Sequence, residues 1–169
     1  MGLLSSEFRS MDDLFVQQLQ DIYDAETRLV PALHKMAEAS TSPGLKQAFE
    51  EHQRQTEGHI SRLEQVFRQC ELEPKRETCQ AMKGLIAEGD EMISAKGDEK
   101  VRDAAMIAAA QRVEHYEIAS YGTLRTLAKH LGRQDCAQLL QQTLDEEGET
   151  DKKLTSLAED EINPQARAA

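Results

Sequence analysis

Acidic and imidazole side chains occupy positions in this chain where a packed helix should carry leucine. The candidates are Glu26, Glu114, Glu117, Glu147 and Asp151 together with His59, and beside them His52 and Gln55. Carboxylate oxygens joined by one or two imidazole nitrogens are the donors that Fe and Mn prefer, and Zn accepts the same set. When four helices each turn such groups inward, the usual outcome is a pair of ions about 4 Å apart. The pattern predicts a site for two metal ions, Fe first, Mn next and Zn as a further occupant. A redox-active pair of that kind would act on O2 or peroxide.

The positions follow from helical periodicity. In a bundle each helix offers the core a stripe whose members are three and four residues apart, and that stripe should be apolar throughout. The first stripe runs Phe15, Leu19, Ile22, Glu26, Leu29, Leu33, Met36, and the second Leu45, Phe49, His52, Thr56, His59, Leu63, Val66, with Gln55 at its side. The third runs Ile107, Ala110, Glu114, Glu117, Tyr121, Leu124, Ala128, Leu131, and the fourth Leu140, Leu144, Glu147, Asp151, Leu154, Ala158. All four lose their apolar character at the centre.

A single mid-stripe Glu is ordinarily a long side chain that reaches solvent. Four interruptions at one depth need a counter-charge. An unpaired buried carboxylate costs several kcal/mol, and a domain has only about 5–15 kcal/mol of net stability. No Lys or Arg falls mid-stripe at that depth, which leaves a metal as the simplest cation. A weak internal repeat points the same way: an offset of 91 superposes Glu26 on Glu117, Leu33 on Leu124, Ala37 on Ala128 and Leu63 on Leu154.

The elements that must position these groups can be read from caps and breakers. Ser10 precedes a helix over 11–39 with Asp12 and Asp13 in its first turn, and Ser40 to Gly44 break it. Ser42 and Pro43 start a second helix over 43–70. A short helix over 78–93 lies in the connection to a helix over 99–131, which Gly132 ends. The last helix covers 134–161, stops before Pro164 and leaves a frayed tail at 163–169. Two hairpins joined by one long crossover is the connectivity of a ferritin-like four-helix bundle, so the expected class is all-α, one domain over 1–169.

Composition agrees and narrows the partners. The 169 residues include 4 Pro, 9 Gly, no Trp and only 4% aromatics, which favours helix over sheet. A formal net charge of −11 repels nucleic acid and anionic membrane and leaves cations as guests. Cys70, Cys79 and Cys136 are odd in number and lack CxxC spacing, so neither a disulfide framework nor a zinc knuckle is indicated, and a cytoplasmic location is expected. There is no apolar run long enough to span a bilayer and no signal-peptide pattern. Met1-Gly2-Leu3-Leu4-Ser5-Ser6 matches a myristoylation pattern too short to carry weight.

The segments Asp21-Ile22-Tyr23-Asp24-Ala25-Glu26, Gln111-Arg112-Val113-Glu114-His115-Tyr116-Glu117-Ile118, Tyr121-Gly122-Thr123-Leu124 and Thr143-Leu144-Asp145-Glu146-Glu147 resemble those of the YciE/YciF family. The resemblance covers nearly the whole chain. It implies a bacterial, ferritin-like, metal-binding protein linked to stress responses. Glu114-x-x-Glu117 is similar to the paired glutamates of rubrerythrin-type dimetal sites, with Glu26 and Glu147 in the places of their first-helix and fourth-helix ligands. The second helix departs from that pattern, because Thr56-x-x-His59 stands where Glu-x-x-His is expected and Gln55 where relatives often have Glu. The last helix has Thr150 in place of His three residues after Glu147, with Asp151 as the nearest substitute.

Two functions follow as expectations. One is a dimetal oxidoreductase of ferroxidase, peroxidase or catalase type. The other is a non-enzymatic bundle, a homodimer or partner-binding stress protein whose metal site is structural or degenerate. Tyr23, Tyr116 and Tyr121 sit near the glutamates either as partners of the ligands or as interface packing.

Overall fold

The computed structural model describes residues 8–168, so the myristoylation-like hexapeptide and Ala169 lie outside the described residues. Long helices α1 (Met11–Ala39), α2 (Pro43–Gln69), α4 (Glu99–His130) and α5 (Gln134–Leu157) form the bundle, and the short α3 (Gln80–Ile93) lies in the crossover. Among the described residues there is no strand, and no helix is long and apolar enough to cross a membrane.

The ends form where local chemistry satisfies the free backbone groups. Ser10 Oγ accepts from Asp13 N while the Asp13 carboxylate accepts from Ser10 N, a capping box that starts α1. Ser42 caps α2 with Pro43 at the first position, and Asp98 caps α4. α3 begins at Gln80, later than the sequence predicts, because the Cys79 thiol itself accepts from Met82 N. Gly132, at φ 72°, closes α4, with Arg133 N donating to Ala128 O at 2.9 Å. Glu71 does the same for α2 at φ 58°, with Leu72 N donating to Phe67 O at 3.0 Å.

The C-terminal expectation is corrected. α5 does not stop before Pro164; it widens into a π turn (Ala158–Ile162) and continues as α6 (Asn163–Arg167). Asn163 N donates five residues back to Ala158 O, so Pro164 enters the first turn of a new helix, where its missing N–H breaks no bond.

α1 packs on α2 and α4, and α5 packs on α4 and α2, with α3 lying across α1 and α4. Three buried or half-buried carboxylates fix the axial register, one by hydrogen bonds alone and two with an arginine partner. At one end Asp103 of α4 accepts from Thr41 N and Oγ1 and from Ser42 N at 2.8 Å, pinning the α1–α2 turn. At the other, Arg133 holds Asp12 at 2.5 Å. Asp24 docks the crossover on α1 by accepting from Arg28, from Arg76 and from Cys79 N. These contacts set the middles of all four long helices at one depth.

Candidate metal centre

At that depth the apolar core gives way. Glu26, Glu114, Glu117 and Glu147 are each 0% exposed, and His52 and His59 are 3% and 1% exposed. Their donor atoms fall into two groups within which all lie inside 4.8 Å of one another. His52, Glu114, Glu117 and Glu147 make one, and Glu26, His59 and Glu147 the other. Glu147 of α5 belongs to both and so stands between them.

The hydrogen bonding is incomplete in a directed way. Both carboxylate oxygens of Glu114, Glu117 and Glu147, the Glu26 Oε2, the His52 Nε2 and the His59 Nδ1 are buried without a hydrogen-bond partner. Buried polar groups are almost always partnered, and each orphan costs about 1–3 kcal/mol or more. His59 Nδ1 lies 3.1 Å from Glu147 and 3.4 Å from Glu26, and His52 Nδ1 3.3 Å from Glu114, close but misaligned for hydrogen bonds. Lone pairs that converge without meeting hydrogens fit a cation.

Two partners outside the groups orient the ligands. Tyr121 donates to Glu26 Oε1 at 2.5 Å. On the far side of His59, Nε2 is 2.8 Å from Glu146, whose carboxylate is held at both oxygens by Arg62 at 3.0 Å. A carboxylate that accepts from Nε2–H keeps the proton of the neutral ring on that nitrogen and leaves Nδ1 as a lone pair aimed into the cluster, the arrangement that makes histidine a good metal ligand.

The acid–base state reflects burial. Desolvation, then the charges of Glu147 and Glu26, push Glu114 and Glu117 well above the ordinary carboxylate range, and desolvation lifts Glu147 to about 6. Desolvation, helped by neighbouring His59, depresses His52 to about 3. Burial alone would depress His59 too, but Glu147 and Glu26 outweigh it and raise the ring to about 11. Burial pushes Glu146 up, and Arg62 and His59 more than offset this, so it stays ionised below its usual range. Protons are therefore shared in the metal-free cluster where ions would otherwise sit.

The candidates from sequence divide cleanly. Glu26, His59, Glu114, Glu117, Glu147 and His52 converge; Asp151 and Gln55 do not. Asp151 instead accepts from Gln111 Nε2 at 3.2 Å and lies 3.5 Å from His115, and Gln55 accepts from Thr150 at 3.4 Å. The cause is register on α5. The buried positions are Leu140, Thr143, Glu147, Thr150 and Leu154, whereas Leu144, Asp151 and Ala158 are only half-buried. Steps of three then four fill the core, not four then three, and the two readings share Leu140, Glu147 and Leu154. Thr150, not Asp151, faces inward. Thr56 is fully buried on α2 with its hydroxyl unpartnered. Glu146 and Arg62 were not picked out from sequence, because a partner on the outer side of a ligand lies off the stripe.

Fold and cluster together define an all-α bundle whose centre carries a buried Glu/His set able to hold a metal ion. The chain belongs to the family described as a domain of unknown function, DUF892, whose profile matches residues 10–167. It is 50% identical over 159 residues to Protein YciF of Escherichia coli (strain K12), covering 94% of this chain and 96% of that one. The crystal structure of the E. coli stress protein YciF superposes with a TM-score of 0.89, covering 92% of this chain and 99% of that chain. The Rhodopseudomonas palustris protein YcfI, 42% identical, gives 0.87 over 91% of this chain and 98% of that chain. A Xanthomonas campestris pv. campestris protein at 22% identity gives 0.76 over 94% and 98%, a likeness of fold alone.

Proposed function

We propose that this protein holds two metal ions, iron by preference and manganese or zinc by the same ligands, and that it handles iron with O2 or peroxide under stress. The observation that carries the reading is the convergence of buried, unpartnered oxygens of Glu26, Glu114, Glu117 and Glu147 with His52 and His59 in two groups that share Glu147. His52, Glu114 and Glu117 would hold one ion, Glu26 and His59 the other, and Glu147 both. Bound iron would supply the redox capacity that the carboxylates and imidazoles of the cluster lack.

The chain's own residues would do the rest. Tyr121 fixes the Glu26 carboxylate through its donated proton. Glu146 and Arg62 hold the His59 tautomer. A cavity of about 130 Å³ between α2 and α5, lined by His52, Gln55, Thr150 and Lys153 among others, gives water-sized molecules room beside the first group. The kinship to the E. coli stress protein supports the physiological setting.

Metal content by elemental analysis after growth with iron or manganese tests the first half, and Fe(II) oxidation by O2 and by peroxide, against Glu117→Ala, tests the second. Protein that takes up neither metal and melts identically with and without chelator refutes the reading. A second reading is a structural or degenerate site in a non-enzymatic bundle, favoured by buried Thr56 and Thr150 at positions where a full dimetal site would have ligands. Tight metal binding without oxidation above the Glu117→Ala control selects it.

A further inference from the structure

The two helix ends that meet beyond the cluster bring a pair of thiols together. Cys70 is the C-cap of α2 and Cys136 lies in the first turn of α5, 66 residues apart in sequence. Their sulfurs are 3.8 Å apart, against about 2.05 Å in a disulfide, so a small side-chain adjustment joins them. We propose that Cys70 and Cys136 are a peroxide-responsive dithiol whose two-electron oxidation ties the end of the first hairpin to the start of the last bundle helix.

Three features make the pair more than a coincidence of packing. Arg133 stands beside it, its guanidinium 5.0 Å over the Phe15 ring and one nitrogen on Asp12. The other terminal nitrogen, Nη1, is buried without a partner, so the cation has capacity left to favour a thiolate. Cys136 donates to Gln69 Oε1 at 3.1 Å, which holds its sulfur against Cys70. Access differs between the cysteines as well: Cys70 is half-buried, and Cys136 lines a surface recess of about 310 Å³ with Gln69 and Arg133. In accord with the geometry, the Cys136 contact, with its single S–H turned from Gln69 to the Cys70 sulfur, and the Arg133 charge lower Cys70 to about 7, despite burial and Asp12.

The chemistry balances with hydrogen peroxide as oxidant. The Cys70 thiolate attacks one peroxide oxygen; the S–O bond forms, the O–O bond breaks, and the leaving hydroxide takes a proton to become water. The Cys136 sulfur then attacks the Cys70 sulfenic sulfur. The S–S bond forms, the S–O bond breaks, and the hydroxyl departs as water with the Cys136 proton. Two thiols and one peroxide give one disulfide and two waters.

Cys79 is a built-in control. It is fully buried, its sulfur is bound to the Tyr116 hydroxyl at 3.0 Å and caps α3, and burial raises its thiol. The test uses full-length protein stripped with chelator, so that the outcome is independent of any metal reading. After equimolar peroxide and alkylation, peptide mapping without reductant should show one intramolecular Cys70–Cys136 link. Two thiols per chain should be lost and recovered with dithiothreitol, and Cys79 should remain alkylatable, reacting about tenfold or more slowly than Cys70. Cys136→Ser should stop at a Cys70 sulfenic acid that dimedone traps. Over-oxidation of Cys70 without the link, links only between chains, or consumption of Cys79 as fast as Cys70 would overturn the proposal.

Discussion

Replacing Glu117 by Gln should stabilise the metal-free protein and abolish its stabilisation by metal. Glu117 is wholly buried with neither oxygen partnered, and burial together with Glu147, Glu26 and Glu114 raises its pKa well above 4.5. A carboxyl raised in the fold is favourable only below its unfolded value. The fold keeps a proton that the unfolded chain releases, so stability falls as pH climbs from 4.5 toward the folded value. Each pH unit over which the fold keeps that proton costs about 1.4 kcal/mol. Gln has the same shape and no proton to hold. Glu117→Gln should therefore raise the melting temperature in chelator increasingly as pH climbs above 4.5, by roughly 3–6 °C for each such unit, using about 2–4 °C per kcal/mol for this size. The advantage should shrink to nothing near pH 4.5. With excess Fe(II) or Mn(II) the order should invert, because wild type gains RT ln(1 + [L]/Kd) and the variant loses a ligand. Calorimetry at pH 4.5, 6 and 7.5, with and without metal, reads all of this. A variant that is less stable than wild type without metal at pH 7, or whose difference does not change with pH, would refute the idea that Glu117 is an uncompensated buried carboxylate.

Glu146→Ala removes the acceptor that fixes His59 and should weaken metal binding about 10–100-fold in a chelator competition while leaving helicity unchanged. Asp151→Asn, by contrast, should leave metal stoichiometry and affinity within about twofold, since Asp151 bonds Gln111 outside both donor groups. Glu71→Gly should stabilise by about 0.5–1 kcal/mol in urea denaturation, because Glu71 holds φ 58° in the turn that ends α2 and glycine carries no left-handed penalty there.

What could be read in the sequence was what repeats along a helix. The stripes through Glu26, His52, His59, Glu114 and Glu117 fix which face is buried, and burial follows them almost residue for residue. On α5 the same rule allowed two registers, and Leu144 and Asp151 looked as eligible as Thr143 and Thr150. Chain pattern could not separate them, because only contact with α2 and α4 decides which order of steps closes the core. Asp24 and Asp103 were invisible for a related reason. Each is buried by partners from another element, Arg76 and Cys79 for one and the Thr41–Ser42 turn for the other, and nothing within a turn of either announces that. The π turn escaped because Pro164 is a stop signal only while the preceding turn stays α-helical.

Charge decides how many ions such a centre would favour. Glu146 is already matched by Arg62, and both imidazoles are neutral as ligands, which leaves Glu26, Glu114, Glu117 and Glu147 to be balanced. Four ionised carboxylates would neutralise two divalent ions, whereas with a single ion two of the buried carboxyls would still have to keep protons. Sharing of Glu147 between the groups would link two occupancies, since a first ion would ionise and orient a ligand of the second. On the proposed reading the ions enter together, and the protons displaced from Glu114, Glu117 and His59 make binding tighten as pH rises. The same balance bears on turnover. A carboxylate at Thr56 would compensate a more highly charged, oxidised pair and a threonine does not, so on the proposed reading the centre would favour the divalent state. On that reading a high reduction potential for iron loaded into the site, falling in Thr56→Glu, would separate a site built to take electrons from one that only holds the bundle together.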